Sequence, residues 1–230
     1  MRQLFATIAD RYDFITVVLS YGQDRRWKRR LIREAQVELG DRVIDLACGT
    51  GDIALQAAAR GASVVGLDIT LRMVEIARAK ATRARYEGLW PIPTFLVGDM
   101  AALPFADASA HVVTTGYGLR NVPVLEQAID EVARVLKPGG RLIALDFNRP
   151  AFSPLRAAYL AYLTAVGSAL GWFLHGDPDT YRYIPESIRR YPGAAGVAAL
   201  LRARGFENVA ARRVLGGLMT LHIAQRAPLR

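Results

Sequence analysis

Residues 43–52 read VIDLACGTGD. Apolar residues flank a single acid and lead into Cys-Gly-Thr-Gly-Asp. This is the pattern of a buried strand that runs into a glycine-rich loop and opens a helix. Such loops hold cofactors, and the fold turns on whether this one cradles a pyrophosphate. Gly49 to Ala54 fits the spacing G-x-G-x-x-G/A, and Asp68 ends the next strand, where an acid binds ribose hydroxyls. A dinucleotide enzyme therefore satisfies the spacing, but the charges oppose it. Asp45 precedes the glycines and Asp52 opens the helix, so negative charge stands where a diphosphate would approach.

Outward from this loop, strands and helices alternate. Strands are expected at 42–48, 63–68, 94–99, 110–117 and 141–147, with helices at 52–60, 71–85 and 124–136. Lys137-Pro-Gly-Gly140 reads as a sharp turn. Alternation of this kind means a parallel sheet covered on both faces. Residues 1–22 read as a helical lead-in, and 24–35 as an amphipathic helix that Asp24 caps. Beyond 150 come a long apolar helix, a polar proline-punctuated segment (176–193), a short helix at 194–204 and a hairpin around Leu-Gly-Gly-Leu. The hairpin gives the sheet an antiparallel strand at one edge.

A loop ringed by carboxylates suits a cationic ligand with a ribose and no phosphate. S-adenosylmethionine, with its sulfonium, ammonium and ribose, has that chemistry. Asp99 ends the third strand, where a carboxylate accepts amino hydrogens of an adenine or simply caps its loop. The fourth strand ends in TTGYGLRN. The crevice beyond the strand ends holds the ligand in open sheets of this kind, so Tyr117, Arg120 and Asn121 are expected to face a substrate.

The chain has 230 residues, 52% of them hydrophobic, which suits one domain with a full core. Its formal charge of +9 fits either a solvated basic surface or an anionic partner. The lone cysteine, Cys48, leaves no internal disulfide and makes a reducing cytoplasm the expected setting. The N-terminal MRQLFATIADRYDF lacks the apolar core of a secretory signal. Ala157–Leu174 carries no charge and is long enough to span a bilayer. Tyr159, Tyr162, Val166 and Phe173 recur on it at helical spacing, however, so a core helix lining an apolar pocket is the expectation.

Several stretches then make the chain resemble one family. VIDLACGTGD, LPFAD, GYGLRNV, ARVLKPGGRL and YRYIPESIRRYPG are similar to the C-methyltransferases of menaquinone and ubiquinone biosynthesis. GYGLRN and YRYIPESI are the most specific of these. The resemblance implies a class I methyltransferase (Rossmann-like) fold, α/β, with a seven-stranded, mostly parallel sheet. It implies S-adenosyl-L-methionine as methyl donor, a prenylated quinol as substrate, and methyl transfer to a ring carbon. Residues 1–40 become a helical lid, 41–150 the cofactor core, and 151–230 the pocket helices and closing hairpin of one domain. Asp45, Gly49, Thr50, Gly51, Asp68, Asp99 and Met100 become cofactor positions. So does Gly116, where some relatives place a serine. Thr16 and LDFNRP also depart from the family pattern, and Thr16 leaves the lid's contacts open.

Within that reading Arg120 stabilises a developing phenolate, because a guanidinium stays protonated. Asn121 orients a water that relays the proton, and Tyr12, Asp13 and Tyr117 close over the cofactor. The alternative for Arg120 is a structural ion pair. His222 is a second candidate base, or a core histidine. Cys48 is expected to be a packing residue, and no metal spacing is present. The RRWKRR run (25–30) is a solvated face or a contact for an anionic membrane surface. Nucleic acid is not expected as a partner, since neither an Asn/Asp-Pro-Pro-aromatic motif nor a cysteine follows the fourth strand. A methyltransferase acting on a polar small molecule is the remaining competitor, and the long apolar helix disfavours it. Ring type, prenyl length and oligomeric state are not legible.

Overall fold

Strand alternation divides the core between the two faces of a sheet. In β1 (Arg42–Leu46), Val43 faces one apolar layer, while Ile44 and Leu46 face the other. The computed structural model describes residues 2–20 and 22–228. Beside β1 run β2 (Ser63–Asp68), β3 (Thr94–Val97), β4 (Ala110–Gly116) and β5 (Leu136–Phe147), all parallel. The hairpin β6 (Phe206–Val214) and β7 (Met219–Arg226) completes seven strands in the order β3-β2-β1-β4-β5-β7-β6. β7 is the reversed strand and pairs antiparallel with both β5 and β6.

Three apolar cores result. α3 (Asp24–Ala35), α4 (Asp52–Ala58) and α5 (Leu71–Tyr86) cover one face through Leu31, Ala54 and Val74. α6 (Leu125–Val135) and α9 (Gly193–Ala203) cover the other through Ile129 and Val197. A third core joins α1 (Arg2–Ile8), α2 (Tyr12–Leu19), α7 (Ser153–His175) and α8 (Tyr183–Arg190). The strand order reverses between β1 and β4, so the loops after these strands flank the crevice where such sheets bind ligands.

The structure departs from expectation in places. The polar segment after α7 holds α8, whose apolar stripe Ile184–Ile188 is short enough for its prolines and charges to hide it. Lys137–Gly140 lies within β5 as an irregular step rather than a free turn. Leu136 pairs with Ala110, pairing resumes at Arg141 with Val112, and Gly139 supplies a φ of 77°. On α7 the buried stripe is Tyr159, Leu163, Gly167 and Gly171, and Phe173 points outward. The glycines let the helix close on the 177–182 segment. A Cβ on Gly171 would stand 2.4 Å from the Asp177 carbonyl oxygen.

Candidate active site

The loop after β1 is held from the next strand. The Gly49 N–H donates to Asp68 Oδ2 at 2.9 Å, and the Thr70 N–H donates to Asp68 Oδ1 at 2.9 Å. The second is a two-residue reach and the first crosses to the loop after the neighbouring strand, so an acid at the end of β2 fixes that loop as well as facing the crevice. Burial raises the pKa of Asp68 against these bonds. Beside it opens a cavity lined by Gly49, Asp68, Gly98, Asp99, Met100 and Gly116, among others. Asp99 accepts the Ala101 N–H at 2.9 Å, so it caps its loop and also lines the cavity.

S-adenosylmethionine can be tested against this lining. Among the described lining residues two are carboxylates and none is lysine, arginine or histidine. A diphosphate would meet no cation there, whereas a sulfonium and an ammonium meet negative charge. Gly116 lines the cavity and packs against the core, where a Cβ would lie 2.6 Å from Ile53 Cδ1. The residues present fit the cofactor.

Asp45, Thr50 and Gly51 do not line this cavity. The two-residue period of β1 puts Asp45 on the face of Val43, wholly buried, where Thr114 Oγ1 donates to it at 2.8 Å. Burial pushes its carboxyl up to about 7. Thr50 Oγ1 donates to Asp13 Oδ1 at 2.6 Å and accepts from Lys80 Nζ at 2.9 Å. Gly51 precedes α4 with a φ of 85°, packed where a Cβ would lie 2.9 Å from Phe95.

The turn after β4 carries the substrate candidates. Tyr117 adopts a φ of 64°, flanked by Gly116 and Gly118, and its hydroxyl donates to Asp24 Oδ1 at 2.8 Å. Asp24 is therefore buried in an ion-pair chain rather than capping α3. Arg120 is 9% exposed and pairs with Asp146 at 2.6 Å. Its guanidinium also stacks 4.7 Å from the Phe147 ring centroid and donates to the Tyr117 carbonyl. Burial works against the charge of Arg120, but Asp146 together with Tyr183 and Tyr12 holds the pKa raised. Arg120 Nε and Asn121 Oδ1 are buried and have no hydrogen-bond partner among the described residues. Asn121 lines the cavity, while Arg120 lies behind it in a smaller chamber with Tyr12, Tyr117 and Tyr183.

One chain of charges joins α2 and α3 to α4 and α5. Lys28 Nζ lies 2.7 Å from Asp24 and 3.0 Å from Asp52. Lys80 Nζ lies 2.9 Å from Asp52 and 2.6 Å from Asp13 of α2. Burial opposes the Lys28 ammonium, yet Asp52 and Asp24 hold its pKa high. Tyr12, on the same helix as Asp13, lines the cavity. Sequence reasoning missed Asp146, Tyr183, Lys28 and Lys80. YRYIPESI did mark the neighbourhood of Tyr183, but no local pattern pairs Asp146 with Arg120, 26 residues away.

His222 is buried on β7, its Nε2 3.1 Å from the Ala194 carbonyl, and burial lowers its pKa. It lines none of the spaces around Arg120. Cys48 is buried against Gly66, as a packing residue would be. Among the described residues no cluster could hold a metal ion.

A model of the ubiE/COQ5 methyltransferase family matches residues 1–226. The demethylmenaquinone methyltransferase of Beutenbergia cavernae is 39% identical over 223 residues, 97% of this chain and 89% of that one. The ubiquinone/menaquinone biosynthesis C-methyltransferase UbiE of Rubrivivax gelatinosus is 37% identical over 227 residues, 99% of this chain and 87% of that one. Among solved structures, a SAM-dependent methyltransferase of Thermotoga maritima superposes with a TM-score of 0.67 at 19% identity. It covers 98% of this chain and 99% of that one. A second, from Aquifex aeolicus, gives 0.62 at 17% identity, covering 86% and 88%. At such identities these two speak to the fold.

Proposed function

The chain belongs to the ubiE/COQ5 methyltransferase family and is an S-adenosylmethionine-dependent C-methyltransferase of quinone biosynthesis, and we propose the site residues with which it methylates a prenylated quinol. Gly49, Asp68, Asp99, Met100 and Gly116 hold the cofactor. Asp45, Thr50 and Gly51 shape the loop beneath it. Tyr117, Arg120 and Asn121 act on the ring. The observation that supports this division is the Arg120 side chain, fully charged, buried beside the cofactor cavity and left with an unused donor.

S-adenosylmethionine, when bound, supplies the methyl on a sulfonium leaving group. The chain's own share is position, dryness and charge. Tyr12 and Tyr117 line both the cavity and the chamber, so a ring lodged between them and Arg120 is held facing the cofactor. Methyl transfer needs its carbon about 3–3.5 Å from the donor, in line and screened from water. A ring hydroxyl must lose its proton to make that carbon nucleophilic. Arg120 cannot take the proton, but its Nε–H donates to the oxygen that remains, while Asp146 fixes the guanidinium. Asn121 spends its Nδ2 on the Tyr117 carbonyl, at 3.0 Å, and presents Oδ1 to the water that carries the proton away.

Arg120→Ala should lower kcat by about 10²-fold or more, with S-adenosylmethionine affinity by calorimetry nearly retained. The single variant strands Asp146 in the interior at a cost of about 3–5 kcal/mol, so Arg120→Ala with Asp146→Ala is measured beside it. Undiminished turnover in either removes Arg120 from the reaction.

The substrate's chain also implies where the enzyme works: in the cytoplasm, docked on an anionic membrane surface. Arg26, Arg29, Arg30 and Arg33 of α3 and Arg212 and Arg213 of β6 line one groove. Glu34 is the carboxylate among them and is engaged by Arg212 at 2.6 Å. Like charges at i, i+4 destabilise a helix by about 0.2–0.5 kcal/mol a pair, a cost that acidic headgroups would offset.

A further inference from the structure

Three spaces meet around Arg120. The cofactor cavity shares Tyr12 and Tyr117 with the chamber. The chamber, about 390 Å³ with its mouth, shares Arg120 and Tyr183 with a third and larger space. That third space is an open groove of about 1710 Å³ with its mouth, between the turn after β4 and helices α8 and α9. Cofactor and ring account for the first two. Nothing so far uses the groove.

Its walls differ from its inner end. α9 presents Gly196, Ala199, Leu200 and Ala203, which fall on one stripe at i, i+3, i+4 and i+7. Val122 and Leu125 stand in the same lining. The small residues leave room along about 10 Å of helix. At the inner end lie polar groups without partners among the described residues: Arg120 Nε, Asn121 Oδ1 and the hydroxyl of Tyr191, which is 4% exposed. Burial pushes the Tyr191 phenol well up, so it remains a neutral donor. Glu126, Glu186 and Arg190 also line the groove, so its apolar part is the α9 stripe with Val122 and Leu125. An apolar stripe that leads to buried, unsatisfied polar atoms matches a ligand with the same division: a hydroxylated ring carrying a hydrocarbon chain.

We propose that the groove between the β4 turn and α8–α9 binds the isoprenoid chain of the substrate, which leaves the ring chamber past Arg120 and Tyr183 and lies on the small-residue stripe of α9. The inference rests on the quinol reading and extends it from the ring to the chain. Each methylene so buried contributes about 0.8 kcal/mol, so affinity should depend on chain length.

Ala199 is exposed, and Ala199→Trp fills the groove without entering a core. Wild type and variant are assayed on demethylmenaquinol with a long prenyl chain and on the same dihydroxynaphthalene ring without one. Wild type should prefer the chain-bearing quinol. Ala199→Trp should lower the long-to-short ratio of kcat/KM by about tenfold or more, chiefly through KM. Farnesol titrated alone should bind wild type and bind the variant at least about tenfold more weakly. Ala203→Trp, at the far end of the stripe, should give the same selective loss should the first variant fold poorly. An unmoved ratio with unmoved farnesol affinity would overturn the assignment and leave the groove to another occupant. If wild type methylates neither of these quinols nor a prenylated benzoquinol, the quinol reading itself fails and the groove proposal falls with it.

Discussion

Asp45 sits wholly inside the protein, and its carboxyl keeps a proton up to a pH of about 7. In the unfolded chain the same group ionises near 3.8. Folding therefore binds a proton between these values, and native stability falls as pH rises from about 4 to 7. Below that window the contribution is absent, and above it the full penalty remains, on the order of a few kcal/mol. Asp45→Asn retains the acceptor for Thr114 and has no charge to gain. Melting followed from pH 4 to 8 should show wild type losing stability relative to Asp45→Asn. Parallel curves would mean that Asp45 is ionised throughout. The acid was legible in VIDLACGTGD, but its direction was not. A carboxylate one residue along the strand would have faced the opposite layer.

At the scale of elements, α2 is held over the cofactor cavity from below by Lys80 of α5, which meets Asp13, Thr50 and Asp52 together. These groups are part-exposed, with the Lys80 side chain at 29%, so the latch is worth about 1 kcal/mol or less and is screened by salt. Lys80→Ala should free α2 and weaken S-adenosylmethionine binding several-fold in calorimetry at low ionic strength. In about 0.5 M salt wild type and variant should converge. Equal affinities at low salt would show that the latch does not hold α2. The lid was expected from the first 40 residues, but Asp13 and Lys80 lie 67 positions apart and no pattern joins them. α7 teaches the same lesson. Its length and apolarity could be read directly, whereas its buried side was set by Gly167 and Gly171 meeting the segment that follows.

Over the whole molecule, the +9 charge is unevenly placed. Six arginines gather on one groove while the cofactor cavity carries only carboxylates among its charged lining. Vesicles containing phosphatidylglycerol should bind the protein, pure phosphatidylcholine should not, and binding should fade as salt rises. Changing Arg26, Arg29, Arg33 and Arg213 to Gln together should weaken vesicle binding at least about tenfold, at about 1 kcal/mol per charge near the surface. Equal binding to neutral vesicles, or tighter binding to RNA than to acidic lipid, would remove this face as a membrane contact.

The sequence by itself determined the parallel sheet and the cofactor crevice. Both rest on local periodicity and on glycine at forced turns, whereas the acids read beside the loop do not line the cavity: Asp45 is buried against Thr114, and Asp52 pairs with Lys28 and Lys80. Gly49, Asp68, Asp99 and Tyr117 were readable for that reason. Only the tertiary structure decided which carboxylates face the cavity, what neutralises Arg120 and where a groove opens beside the β4 turn. Those depend on pairs such as Arg120 with Asp146 and on helices α8 and α9 meeting the β4 turn. Burial and geometry between distant segments are properties of the packed chain, and no short stretch of residues encodes them.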